Sequence, residues 1–290
     1  HEEAVLSPAR LVVGDLADTA RLGRLLEKES FSAVIHFAAS IVVPESVSDP
    51  LKYYRNNTLN TTQLIKACVE HQIPSFVFSS TAAVYGMPET IPVPESTPVS
   101  PINPYGCSKL MSEWVLRDVS HAHPEFKHVI LRYFNVAGAD PEGRIGQSTP
   151  DATHLIKVAC QTALGQRECL SIFGTDYPTP DGTGIRDYIH VTDLAEAHVQ
   201  ALGHLEQGQK SEVLNCGYGH GYSVREIVSA VQRVSRTELP VQETSRRAGD
   251  PAQLVSDPAR LMEVFGWQPR YDDIDKIVQT AYDWERYRTY

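Results

Sequence analysis

Short apolar runs alternate with longer amphipathic stretches through the first half of this chain, and that alternation constrains its fold more than any other feature. Leu11-Val12-Val13 reads as a short strand, and Asp18 to Ser30 as a helix with Asp18 as its N-cap. Ala33 to Phe37 is an apolar strand, and Pro50 to Glu70 sets Leu51, Tyr54, Leu64, Ile65 and Ala67 on the apolar side of a helix. Ser75 to Phe78 is a second buried strand, Tyr105 to Val119 a helix and His128 to Tyr133 a further strand. Strands spaced by helices need crossover connections and so build a parallel sheet; near-continuous apolar runs fit strands covered on both faces. The pattern predicts an α/β fold.

From residue 136 to 185 the texture changes to Gly, Pro, Asp and Thr, with one helix near His154 to Leu164. Regular structure resumes with a helix at Asp193 to Leu205, a strand at Val213 to Asn215, and helices at Ser223 to Val234 and Ile274 to Arg286. The expected division is a sheet-forming unit of residues 1–135, to which 187–210 return, and a smaller α/β cap from 136–186 and 211–290.

The 290 residues carry a formal net charge of −10 with no block of Lys or Arg, which excludes a nucleic-acid partner. An anionic small molecule can still bind where a few cations line its pocket. No apolar run approaches the length of a bilayer span, so no membrane role is expected. The start of the chain has no basic flank and no signal-like stretch, and the five cysteines are scattered without a Cys-x-x-Cys pair. They read as reduced thiols of a cytoplasmic protein with no metal site.

The central chemical signal is Tyr105-Gly106-Cys107-Ser108-Lys109. Residues four apart share one face of a helix, so Lys109 can bring its ammonium near the Tyr105 phenol. A free phenol titrates near ~10 and is a poor base at neutral pH, but a neighbouring cation favours the phenolate. The pair is a candidate general base. Alone, Tyr-x-x-x-Lys is a weak signal. It gains weight from Phe78-Ser79-Ser80-Thr81, an apolar strand that ends in three hydroxyl residues. Ligands of open α/β sheets bind at such strand ends, where a hydroxyl can bond a substrate alcohol.

At these residues the chain resembles the extended short-chain dehydrogenase/reductase family and, within it, the UDP-glucose 4-epimerases. Four stretches carry the likeness: His36-Phe37-Ala38-Ala39; Phe78 to Gly86 together with Pro104 to Lys109; Arg132-Tyr133-Phe134-Asn135; and the long run from Phe173 to His190. The resemblance implies a Rossmann-like doubly wound parallel sheet that binds NAD, with the cap holding a UDP-sugar. It implies Tyr105 as catalytic base, Lys109 as its electrostatic partner and a contact to the nicotinamide ribose, and Thr81 as the hydroxyl at the sugar O4. Asp15 and Leu16 would lie near the adenine, Phe37, Ala38 and Ala39 under the dinucleotide, Asn57 against it, and Phe134 near the nicotinamide. Asn135, Leu155, Ser171, Phe173, Arg186, Arg247 and Asp250 would face the UDP-sugar, with Leu254 beside the sugar's 2-substituent. Asp187 and His190 read as structural.

The implied reaction oxidises C4 of a UDP-hexose to a 4-keto sugar, lets the ring turn in the pocket and reduces it from the other face. Ala82 and Ala83 stand where related dehydratases carry an Asp-Glu pair, so elimination of water is not expected. Alternatives are 4-epimerisation of another UDP-sugar (an N-acetylhexosamine, pentose or uronate) and a non-catalytic sugar-nucleotide or dinucleotide sensor.

There are two departures from the family pattern. Ile41 replaces a Lys frequent in the family, and no Gly-x-x-Gly-x-x-Gly turn occurs; Gly217-Tyr218-Gly219-His220-Gly221 is not its equivalent. By that pattern the first two strands, which would sit between Leu11–Val13 and Ala33–Phe37 in the sheet, are missing from these residues, and the native protein is expected to be longer. The helices at 50–70 and 105–119 are those that pair in family dimers, so a homodimer is expected.

Overall fold

The structure is a computed structural model that describes residues 2–150, 152–247 and 250–288. Helix α1 (Thr19–Lys28) is capped by Asp18, whose carboxylate accepts from the Arg21 amide. Strand β1 (Ala33–His36) leads through α2 (Val43–Ser48) into α3 (Pro50–Tyr53), a π-helical turn (Tyr54–Leu59) and α4 (Asn60–Glu70). The expected helix over 50–70 is therefore present but widened in the middle, as often happens beside functional sites. Next come β2 (Ser75–Thr81), a 3-10 turn (Ala82–Tyr85), α5 (Pro104–Ala122) and β3 (Lys127–Tyr133).

After β3 come β4 (Asn135–Ala137), α6 (Leu155–Ala163), β5 (Leu170–Phe173), β6 (Ile185–Arg186) and β7 (Tyr188–His190). Then follow α7 (Val191–Glu206), β8 (Glu212–Cys216), β9 (Tyr222–Ser223), α8 (Val224–Ser235), β10 (Val241–Thr244), β11 (Gln253–Leu254), α9 (Ala259–Phe265) and α10 (Ile274–Tyr287).

The main sheet is parallel, in the order β1-β2-β3-β8. All seven residues of β2 are buried. Phe76 and Phe78, with Ile130 of β3, pack toward Leu64, Ile65 and Leu116 of α4 and α5. Val77, Val129 and Leu131 face the other way, toward Ala197 and Ala201 of α7, in one cluster with buried residues of α8 and α10. The strict alternation of a strand's side chains produces this two-faced burial, and it makes the fold an α/β Rossmann-like one.

Two expectations need correction. Leu11–Val13 is not a strand: its side chains are exposed, and no strand among the described residues offers it a ladder. An apolar triplet without a hydrogen-bonding neighbour has nothing to fix it as a strand. Strand β8 lies in the main sheet beside β3, although the sequence reading placed residues 211–290 in the cap. Its five residues are too short to reveal their partner.

The Gly217-x-Gly219-x-Gly221 run also acquires a structural role. Asp187 is fully buried, and its carboxylate accepts from the amides of Tyr218, Gly219 and Ser256 and from the Ser256 hydroxyl. A Cβ at Gly217 would collide with this carboxylate and with Ser256 Oγ, so glycine is required for the approach. His190 caps α7, accepting from the Thr192 amide, and its ring lies 4.4 Å from that of Tyr271. Both residues are built into the framework.

Candidate active site

Parallel strands leave the ends of β2 and β3 side by side, with Thr81 paired to Tyr133. Helix α5 begins at Pro104 under an Asn103 cap whose carboxamide oxygen accepts from the Gly106 amide at 2.9 Å. Gly106 has no room for a side chain, because a Cβ would press on the Ala83 carbonyl and Pro101. That close approach seats the first turn of α5, and hence Tyr105, against the residues that follow Thr81.

The Thr81 oxygen accepts from the Ala83 amide at 3.1 Å, beside the Tyr105 phenol. Burial raises the pKa of that phenol, and the Thr81 hydrogen bond lowers it. Residue Tyr105 as a whole is half-buried, so it keeps an open side. Lys109, one turn on, is only 4 % exposed. Burial lowers its pKa to about 7, and the Glu113 carboxylate opposes that shift. The sequence reading gave the phenol-lowering role to Lys109. The Lys109 ammonium lies over the Phe78 ring, 4.5 Å from its centroid.

The expected dinucleotide residues divide into two groups. Phe37 is 58 % exposed with its ring 4.7 Å from that of His198, Ala38 is exposed and Ala39 half-buried, so they form an open strip at the end of β1. Asn57 in the π-helical turn is buried, with its amide bonded to both backbone groups of Ser40 and to the Ser108 hydroxyl. It ties the loop after β1 to α5. Phe134 is buried with Ala82, Tyr85 and Leu110, and Leu254 packs on the same cluster. Asp15 is exposed and Leu16 half-buried on the chain leading into α1. The small Ala38 and Ala39 after β1, and a half-open Tyr105 beside the buried Lys109, fit the nicotinamide side of an NAD molecule.

The expected sugar-nucleotide residues fall into separate groups. Arg186 of β6 is the register partner of Leu254 in β11. The Arg247 guanidinium sits 3.7 Å over the Phe173 ring, at the end of the β5–β10 pair that also holds Ser171. Asp250 is exposed, and the Tyr177 phenol feels its charge as well as those of Arg186 and Arg246. Tyr177 was missed by the sequence reading as a residue linking these groups. Asn135 and Leu155 line one cavity of about 30 Å³ with Gln147, Lys157 and Trp284.

Sequence reasoning also missed a buried network behind α5. Glu113 grips Arg132 through both carboxylate oxygens at 3.0 and 2.6 Å and accepts from Ser80 at 2.5 Å. Arg132 continues to the Tyr85 hydroxyl, which donates to Asn215. One signal was available: Glu113 falls one turn beyond Lys109, on the face that Tyr105 and Lys109 share.

The family profile described as NAD dependent epimerase/dehydratase family matches residues 1–217. The chain is 57 % identical over 286 residues to the UDP-glucose 4-epimerase of Azospirillum brasilense, covering 99 % of this chain and 82 % of that protein. The UDP-glucose 4-epimerase of Brucella ovis, solved in complex with NAD, superposes with a TM-score of 0.91 at 47 % identity, over 94 % of this chain and 83 % of that one. The UDP-Glc/GlcNAc 4-epimerase of the human pathogen Campylobacter jejuni gives a TM-score of 0.84 at 52 % identity, over 98 % and 86 %. The arrangement of Thr81, Tyr105 and Lys109 at the ends of a parallel sheet thus goes with relatives matched along nearly the whole sequence, and the chain belongs to the NAD dependent epimerase/dehydratase family.

Proposed function

We infer that this chain is an NAD-dependent UDP-glucose 4-epimerase, inverting C4 of a UDP-hexose through a 4-keto intermediate. The observation that carries this reading is Tyr105 opening α5 against the end of the strand that carries Thr81, with Lys109 buried one turn away. NAD supplies, when bound, the reversible two-electron oxidation of C4. Tyr105 takes the proton of the sugar's 4-hydroxyl, with Thr81 bonded to the same oxygen, and returns it when the ring is reduced.

Burial works against both charged forms of the pair, favouring neutral phenol and neutral amine. The phenolate–ammonium form therefore depends on what opposes burial: the attraction between the two charges, Thr81 beside the phenol and Glu113 beside the ammonium. Lys109 and Phe134 would hold the nicotinamide end, with Phe37, Ala38, Ala39 and Asn57 along the dinucleotide and Asp15 and Leu16 near the adenine. Arg186 and Arg247 are planar, permanently charged donors suited to the diphosphate. Asn135, Leu155, Ser171, Phe173 and Asp250 would complete the UDP-sugar side, and Leu254 would border the sugar's 2-substituent. Strong hold on the diphosphate with slack around the sugar is the uneven use of binding energy that ring turnover needs. In this division the main sheet, including β8, carries the cofactor, and residues 136–186 with the chain after β8 carry the UDP-sugar.

The Campylobacter relative acts on UDP-Glc/GlcNAc, and Leu254 is of intermediate bulk, so UDP-N-acetylhexosamine is the second substrate to try. Among the described residues no helix is long and apolar enough to cross a membrane, and all five cysteines are free thiols, in keeping with a cytoplasmic enzyme. Leu51 (77 % exposed), Leu59, Met111 and Trp114 (48 %) give the α3–α5 region the apolar face for a homodimer; a monomer by sedimentation at micromolar concentration would remove that part. The test of function is conversion of UDP-galactose to UDP-glucose by the NAD-loaded protein. Tyr105→Phe should lose about 10²–10⁴-fold in kcat. A folded, NAD-loaded wild type that leaves UDP-galactose and the N-acetyl substrate unchanged would favour the sensor reading.

A further inference from the structure

Lys109 is buried among groups of few charges. On α5 it has Tyr105 before it and Glu113 after it. From β2 it meets the Phe78 ring, and from β1 it meets His36, whose imidazole is held near pKa 4 by burial and by the lysine's charge. Tyr53 of α3 turns its ring edge to Tyr105 at 6.4 Å and is itself bonded to Glu45 of α2. Tyr133 of β3 also feels the Tyr105 phenol. Glu113 stands one helical turn after Lys109 on the same face of α5, both are buried, and its carboxylate opposes the effect of burial on the ammonium. That carboxylate is wholly buried, and Arg117 reaches it only at 3.4 Å from the surface.

Glu113 also links three elements. Its oxygens accept from Ser80, the residue before Thr81, and from Arg132, two residues before Phe134. The helix carrying base and lysine is thereby bolted to the strand ends that carry Thr81 and Phe134. We propose that Glu113 is a positioning residue of this site, which sets Tyr105 against Thr81 through Ser80 and Arg132 and keeps the Lys109 ammonium charged. The proposal rests on the epimerase reading for the reaction, but its electrostatic half concerns this chain alone.

Glu113→Gln keeps the shape and removes the charge, leaving the Arg132 guanidinium buried without its counter-ion. Because that variant can fail to fold, the neutral pair Glu113→Gln with Arg132→Met is made beside it. In both, the Lys109 ammonium loses its partner and deprotonates at lower pH, so the alkaline decline of kcat should move down by about one pH unit. Above the wild-type decline, that adds about a tenfold further loss. Glu113→Asp retains the charge and should keep the wild-type limb even where kcat falls. The same shift should appear without cofactor or substrate, in the NMR titration of ¹³C-labelled lysine side chains, with the Lys109 signal assigned by its loss in Lys109→Met. A folded neutral-pair variant in which both the lysine titration and the kcat limb stay in place would overturn the proposal. Wild type inactive on UDP-sugars, with the lysine titration shifted in the variants, would instead overturn the epimerase reading and leave the Glu113–Lys109 coupling standing.

Discussion

Arg247 lies with its guanidinium 3.7 Å above the Phe173 ring, joining the loop after β10 to the end of β5. A guanidinium held flat on an aromatic face keeps its edge donors directed outward, which suits a bidentate grip on phosphate oxygens.

Arg247→Met should therefore weaken the UDP-sugar more than it slows the chemistry. The expected result is a KM raised about 10–100-fold with kcat within a few-fold of wild type, the pattern of lost uniform binding. Isothermal titration with UDP should lose affinity by a similar factor. An unchanged KM would assign the stack to the framework alone.

Thr81→Val keeps the volume and removes the hydroxyl that lowers the Tyr105 pKa. The phenol then ionises at higher pH, so the rise of kcat with pH should move toward alkaline values by about one unit. At neutral pH kcat should fall at least about tenfold, with recovery as pH increases. A uniform loss at every pH would show that Thr81 orients substrate without tuning the phenol.

Gly217→Ala tests the framework behind the cap. The added methyl must displace the Asp187 carboxylate or Ser256, breaking a buried set of hydrogen bonds. A loss of about 2–4 kcal/mol in urea unfolding is expected, from overpacking and from polar groups left unpaired. Gly143 has open space for a methyl, but its φ of +70° makes alanine strained there, so Gly23, in α1 with open space around its Cα, is the better control and should be neutral or slightly stabilising.

The order of strands and helices was readable because their apolar periods run over many residues. Asp18, Ser223 and the hydroxyl-ended β2 marked boundaries that the structure keeps. The cap strands β4, β6, β7, β9 and β11 were not readable, since two or three residues hold no period. Leu11–Val13 had the apolar character of a strand but not the neighbour that would make it one.

Local sequence determined that Tyr105, Lys109 and Glu113 would share a helical face, because a helix fixes the spacing of its side chains by covalent geometry. It also determined that Thr81 would end a buried strand. Which groups those residues meet was decided only by tertiary structure. Thr81 reached the phenol, the lysine settled over Phe78, and Glu113 closed on Arg132 from a strand 19 residues further on. Such contacts depend on how helix and sheet pack, and the burial that shifts the Tyr105 phenol and the Lys109 ammonium exists only once the chain has folded around them.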